Sequence, residues 1–184
     1  MVFEGFFGRR KRAEAIRGLY GSLVAQARRP WFYTEGGVPD TLDGRFDVLV
    51  AHAFLLMRRL GRTDGAEARE AKALSQAVFD AMFSDLDGNL REMGVSDNSI
   101  GKTVKQMAKA FYGRVSAYDA TIGSGAPALA GALARNLYRG SPPTPETAPR
   151  MAAYMVRQAR HLDSLPFAVL TAGDLDMIQP EDMP

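Results

Sequence analysis

Residues 94–114 read GVSDNSIGKTVKQMAKAFYGR, and Gly101, Lys102 and Thr103 have the residue types of a phosphate-binding loop. That loop needs a glycine, four residues, then Gly-Lys-Ser/Thr after a strand, so that backbone N–H groups converge on phosphate. Counting back from Gly101 places Ser96 where the first glycine belongs, and Gly94 stands two residues too early. The preceding DGNLREMG is helical and turn-like rather than strand-like, so the phosphate-loop reading fails. The same letters suit a helix start. Ser96 or Asp97 can accept the free N–H groups of a first turn, and Ile100, Val104, Met107, Phe111 and Val115 then recur at helical spacing. Lys102, Lys105 and Lys109 fall on another face, with Arg114 nearby. A basic face of this kind is either simply solvated or a contact for an acidic or phosphate-bearing partner.

Other chemical signals are weaker. Asp85-Leu-Asp-Gly-Asn89 begins like a calcium loop, but its sixth and twelfth positions hold Leu90 and Ser96 instead of Gly and Glu. His52 lies inside an apolar run, where a hydrogen-bonded core histidine is the expectation, and His161 ends a helical segment, where the helix dipole accounts for it. Neither pairs with an acid at metal-ligand spacing, and no GxSxG elbow is present. With no cysteine, thiolate–metal sites, iron–sulfur clusters, disulfides and a cysteine nucleophile are excluded. The expectation is no enzyme, no metal, no cofactor and no small-molecule substrate.

The elements that carry these residues follow from periodicity. The chain has 184 residues, 46% hydrophobic and 24% charged, enough for one soluble domain with a real core. Ile16, Leu19, Tyr20, Leu23, Val24 and Ala27 make a first apolar stripe, expected to start after the basic run and to end at Pro30. PWFYTEGGVPDTLDG follows as a loop whose aromatics need cover. Residues 45–61 are apolar on most sides and predict a central helix, closed by Gly61 with Arg58 and Arg59 in its last turn. Further helices are expected over 65–88, from Ser96 through the basic-faced segment, over about 126–139, and over about 148–163 after a proline-rich linker; NLREM adds a short turn of helix. No strand pattern has weight. The fold class is therefore all-α, a single compact domain of about six to seven helices. Residues 13–165 form the helical domain, 1–12 a basic segment and 166–184 a loose acidic tail. The methionines on these helices read as core filling, with lining of an apolar groove as the alternative.

Charge is uneven although the net value is only +2. Arg9, Arg10, Lys11, Arg12, Arg17, Arg28 and Arg29 crowd the first 30 residues against Glu4 and Glu14, whereas residues 161–184 contain acids but no Lys or Arg. Arg9, Arg10, Lys11 and Arg12 can seek anionic lipid or RNA, or serve as a solubilising end that touches the acidic tail. The longest uncharged apolar run, Val48 to Met57, is about half of the roughly 20 residues a membrane span needs, and no secretory signal is expected, since MVFEGFF precedes the basic run instead of following it and carries Glu4. A cytoplasmic protein is expected, peripheral at the inner membrane surface if its basic groups meet lipid.

Three segments together carry a family resemblance: GVPDTLDGRFDVLVAHAFLLMRRL (37–60), LREMGVSDNSIGKTVKQMAKAFYGRVSAYDATI (90–122) and LAGALARNLY (129–138). In order and spacing they resemble the ubiquinol–cytochrome c chaperone family, bacterial relatives of mitochondrial complex III assembly factors, over about residues 16–138. Ala51-His52 stands where the family has Leu-His, and SDNSIGKT lacks an early glycine and some basic residues. The resemblance implies a helical, non-enzymatic chaperone. Mitochondrial members bind newly made cytochrome b, act with a small partner and associate with the ribosome near its tunnel exit. It marks Asp43, Arg45, Phe46, Tyr112 and Arg114, with Lys102, Lys105 and Lys109, as client- or partner-binding residues. Asp43 has helix capping, and Phe46 core packing, as alternative roles. The competing reading is a general helical membrane- or RNA-binding adaptor without a specific client.

Overall fold

The computed structural model describes residues 2–139 and 142–182, with side chains from Arg10 onward. Seven α-helices and three short 3-10 turns account for the described regular structure, with no strand among these residues. Helix α1 spans Val2–Ala27, α2 Leu42–Gly61, α3 Ala68–Glu92, α4 Asp97–Ile122, α5 Ala126–Asn136, α6 Thr147–Ser164 and α7 Phe167–Ala172.

The apolar α2 is central, packing against α1, α3, α4 and α6. Val48, Val50, Ala51, Ala53, Phe54, Leu55 and Leu56 are all at most 1% exposed, so water is excluded from nearly the whole circumference of its middle turns. Its N-cap is Thr41, whose hydroxyl accepts the Gly44 N–H at 3.1 Å. Gly44 is required there for space: a Cβ would run into the Pro39 carbonyl oxygen. At the other end, Arg59 donates to the carbonyls of Leu162 and Leu165 at 2.9 and 2.8 Å, and Arg58 and Arg62 share Asp163. These arginines therefore cap α6 as well as suiting their own helix end.

Three sequence expectations change. The first helix does not wait for the basic run to end but continues through it from Val2, because Arg and Lys are good helix formers and charge alone does not break a helix. NLREM is no separate turn: α3 runs on through Gly88 to Glu92. The tail, expected loose, is docked. Phe167, Leu170, Leu175 and Met177 are buried, Gln26 donates to the Ile178 carbonyl at 2.8 Å, and the Ile178 N–H donates to Gln158 Oε1 at 2.8 Å. Arg29 grips Glu181 through both Nε and Nη2. Gly173, at φ +82°, ends α7 against the Ala15 backbone, where a side chain would have no room. Buried apolar side chains at irregular spacing, amide hydrogen bonds and the Arg29–Glu181 ion pair together hold the segment.

The aromatics after Pro30 are covered as expected. Trp31 and Phe32 are buried, and Tyr33 O–H donates to the Ala27 carbonyl at 2.7 Å. His52 is a core histidine: its ring bonds the Val48 carbonyl at 2.8 Å and the Tyr154 hydroxyl at 2.9 Å.

Candidate functional site

The basic-faced helix begins where the letters of the apparent phosphate loop stand. Ser96 is the N-cap of α4 by position, but its hydroxyl bonds the Ser99 hydroxyl at 3.0 Å and accepts no first-turn N–H, contrary to the sequence expectation. Gly101-Lys102-Thr103 lie in the second turn, so their N–H groups are committed to the helix. Ile100, Phe111 and Tyr118 face the core at 1% exposure or less, and Lys102, Lys105 and Lys109 are exposed on the opposite side. None of the three lysines makes an ion pair among the described residues. Tyr112 is 58% exposed and its ring lies 5.6 Å from that of Phe79. It borders a depression of about 460 Å³ lined by Met57, Phe79, Phe111 and Val115.

On the other flank of α4 an apolar groove opens between the start of α2, the end of α3 and the middle of α4. One mouth, of about 300 Å³, continues past Arg139. A second, of about 350 Å³, runs toward α1 past Tyr20, Tyr33 and Arg45. Leu42, Phe46, Leu86, Met93 and Met107 line both. Leu42 and Met93 are 56% and 55% exposed and, with Tyr112, are the exposed large hydrophobic side chains among the described residues. Leu42 and Met93 thus place two exposed apolar side chains together on one concave surface, whereas Tyr112 lies on the other depression. Of the methionines, Met82, Met151 and Met155 fill the core, whereas Met93 and Met107 line the groove.

Behind the groove wall lies an ion cluster. Asp47, one turn after Asp43, is 2% exposed and pairs with Arg114 at 2.7 Å and Arg139 at 3.0 Å. Arg114 is itself only 4% exposed and stands 5.7 Å from the Phe46 ring centroid, so Phe46 separates Arg114 from the groove, whereas Arg139 reaches it. Arg114 Nε and the Tyr118 hydroxyl have no hydrogen-bond partner among the described residues. Burial pushes the Asp47 carboxyl up to about 6, against the pull first of Arg114 and then of Arg139; Asp43 adds to the rise. Asp47 is therefore ionised at neutral pH.

The marked residues thus separate. Asp43 and Phe46 line the groove, with Thr41 rather than Asp43 providing the helix cap. Arg45 reaches its second mouth while paired with Asp40 at 2.6 Å over the Tyr33 ring; that pair holds the Asp40 carboxyl below its usual range. Arg114 is interior. The lysines and Tyr112 occupy other faces of α4. In the basic head, Arg10 pairs with Glu14 and Arg12 donates to the Ala73 carbonyl, both on the surface with Lys11; the Arg9 side chain lies outside the described residues. Sequence reasoning missed Leu42, Met93, Asp47 and Arg139. Asp47 had a signal, a lone carboxylate inside an apolar helix. Arg139 had none.

Among the described residues no cluster of His and acidic side chains is arranged to hold a metal, and no helix is long and apolar enough to cross a membrane.

Comparison with known proteins adds the following. A family model described as ubiquinol-cytochrome C chaperone matches residues 34–177. Ubiquinol-cytochrome-c reductase complex assembly factor 1 of Xenopus laevis is 27% identical over 147 residues, which are 80% of this chain and 72% of that protein. The Mus musculus protein of that name is 26% identical over 80% of this chain and 48% of its own length, so the chain spans about half of that relative. The crystal structure of the Cbp3 homolog from Brucella abortus is similar over 100% of both chains, with a TM-score of 0.86 and 32% identity.

Proposed function

The chain belongs to the ubiquinol–cytochrome c chaperone family, and from that premise we propose that it is a non-enzymatic assembly factor for ubiquinol–cytochrome c reductase that holds newly made cytochrome b at the membrane surface. The observation that supports this reading is the groove, whose exposed lip residues Leu42 and Met93 form an uncovered apolar contact site. A chaperone for a membrane protein needs such a surface while the client's apolar helices await the bilayer.

A photo-reactive amino acid placed at Leu42 or Met93 is expected to crosslink to cytochrome b in membranes making it, and the same residue at Lys72 is not. Loss of the protein is expected to deplete assembled ubiquinol–cytochrome c reductase while other respiratory complexes persist. Absence of cytochrome b from the adducts, together with normal complex levels, would refute the proposal.

The outward Lys102, Lys105 and Lys109 support peripheral attachment to anionic lipid. Each basic group near such a surface adds about 1 kcal/mol. Replacing all three by glutamine is therefore expected to weaken binding to anionic vesicles by roughly tenfold or more at low salt, and rising salt to weaken the native protein likewise. Salt-independent binding would remove the electrostatic part of the proposal. The adaptor reading without a client shares this basic face; crosslinks to lipid or RNA alone, with none to cytochrome b, would favour it.

A further inference from the structure

We infer that Arg139 selects what the groove accepts, and that the accepted segment is an apolar helix carrying one carboxylate. The inference rests on reading the groove as a client site, and it names the chemistry of the client.

Arg139 stands in the groove wall, and its side chain is 47% exposed. It donates to Asp47 through Nε and Nη2, at 3.3 and 3.0 Å. Its Nη1 has no partner among the described residues. Asp47, almost fully buried, thus holds the guanidinium in place by one edge and leaves the other edge with free donors. Two arginines share this one carboxylate, so the cluster carries a surplus positive charge. Asp43, the acidic group on the groove, is exposed and therefore well screened by water. The surplus is shared with Arg114, which is 4% exposed and screened less.

A segment entering the groove must bring its own backbone hydrogen bonds, because the shared lining is mainly side chains of Leu, Phe and Met. A helix does so and an extended chain does not. A wholly apolar helix would cover Arg139 and strand its free N–H groups. A helix with a glutamate or aspartate at the matching position would instead gain a charge-assisted bond. The penalty for the unpaired group makes the discrimination larger than the attraction alone. Asn89, Thr103 and Gln106, also on the groove, are neutral and add no competing charge.

The test uses the full chain and two helical peptides of about 20 residues, apolar on one face and alike except for one central Glu or Gln on that face. Fluorescence anisotropy is expected to show the Glu peptide binding roughly tenfold tighter. In Arg139→Gln the two peptides are expected to bind alike, while thermal melting confirms that the fold persists on the remaining Asp47–Arg114 pair. A purely structural role for Arg139 would lower both affinities and leave their ratio unchanged, which overturns the inference. Equal binding of both peptides by the native protein also overturns it, while leaving the groove as an apolar client site. Binding of neither peptide, with no crosslinks from Leu42 or Met93, overturns the groove reading and this inference together.

Discussion

Arg114→Met is expected to destabilise the protein by about 3 kcal/mol at pH 7, and by clearly less at pH 5. Methionine roughly keeps the volume of the arginine stem, so the loss is electrostatic rather than a cavity effect. Asp47, 2% exposed, would keep only the half-exposed Arg139 as its counter-charge. Removing one member of a buried pair usually destabilises by about 3–5 kcal/mol, and the lower end applies because Arg114 Nε already lacks a partner. The sign of the pH effect follows from Asp47. Its folded carboxyl is already raised to about 6 by burial, with Arg114 the strongest opposing pull. Without Arg114 it rises further. A folded state that holds a proton which the unfolded chain has released gains stability as pH falls through that window, from above 6 toward the ordinary carboxylate value of about 4. The variant gains more than the native protein there. Urea unfolding of both proteins at pH 7 and 5 measures this. An equal loss at the two values, or a loss typical of a surface pair, under about 1 kcal/mol, would show that Arg114 does not neutralise Asp47.

Tyr154→Phe is expected to lower stability by about 2–3 kcal/mol, since two buried groups each lose a partner at about 1–3 kcal/mol per unsatisfied group. The Tyr154 hydroxyl joins His52 Nε2 and Gln26 Nε2, both at 2.9 Å. His52 Nδ1 faces the Val48 carbonyl at 2.8 Å, and only a protonated nitrogen can bond a carbonyl. Nδ1 therefore carries the hydrogen and Nε2 accepts from Tyr154, whose oxygen in turn accepts from Gln26. Burial pushes the His52 pKa down to about 4, with the Val48 carbonyl pulling the other way. A neutral histidine at pH 7 fits this tautomer. Its contribution is present above the ordinary value of about 6.5 and is lost as pH falls toward 4, opposite in sign to that of Asp47. Comparing each variant with the native protein at one pH separates the two. Gln26 also ties the docked tail through Ile178, so Tyr154→Phe is further expected to speed amide exchange at 175–180. A loss below about 0.5 kcal/mol, the range of an ordinary surface substitution, would contradict the network.

Much of the fold was legible because helical spacing and capping are local. Ser96 opening α4, the apolar circumference of α2 and the proline stop after α1 each depend on neighbours within a few positions. So did the rejection of a phosphate loop, which needed only counting. The basic run and the tail were misread for related reasons. Clustered charge looked like an interruption, yet those residues favour helix. An acidic stretch without periodicity looked loose, yet buried Leu175 and Met177 and bonds to Gln26, Arg29 and Gln158, all distant in sequence, anchor it.

The sequence by itself determined an all-helical chain without thiols or a catalytic motif, a basic face on α4 and a family resemblance that the comparisons support. Only the tertiary structure decided which marked residues act together. Asp47, Arg114 and Arg139 come from three segments, and their shared pairing depends on how α2, α4 and the end of α5 pack. The groove is likewise a property of the space between helices: Leu42 and Met93 are ordinary apolar letters, and only packing leaves them uncovered. Local periodicity encodes which face of a helix turns inward, whereas the gaps and charge partners created when those faces meet depend on contacts that no short stretch of sequence contains.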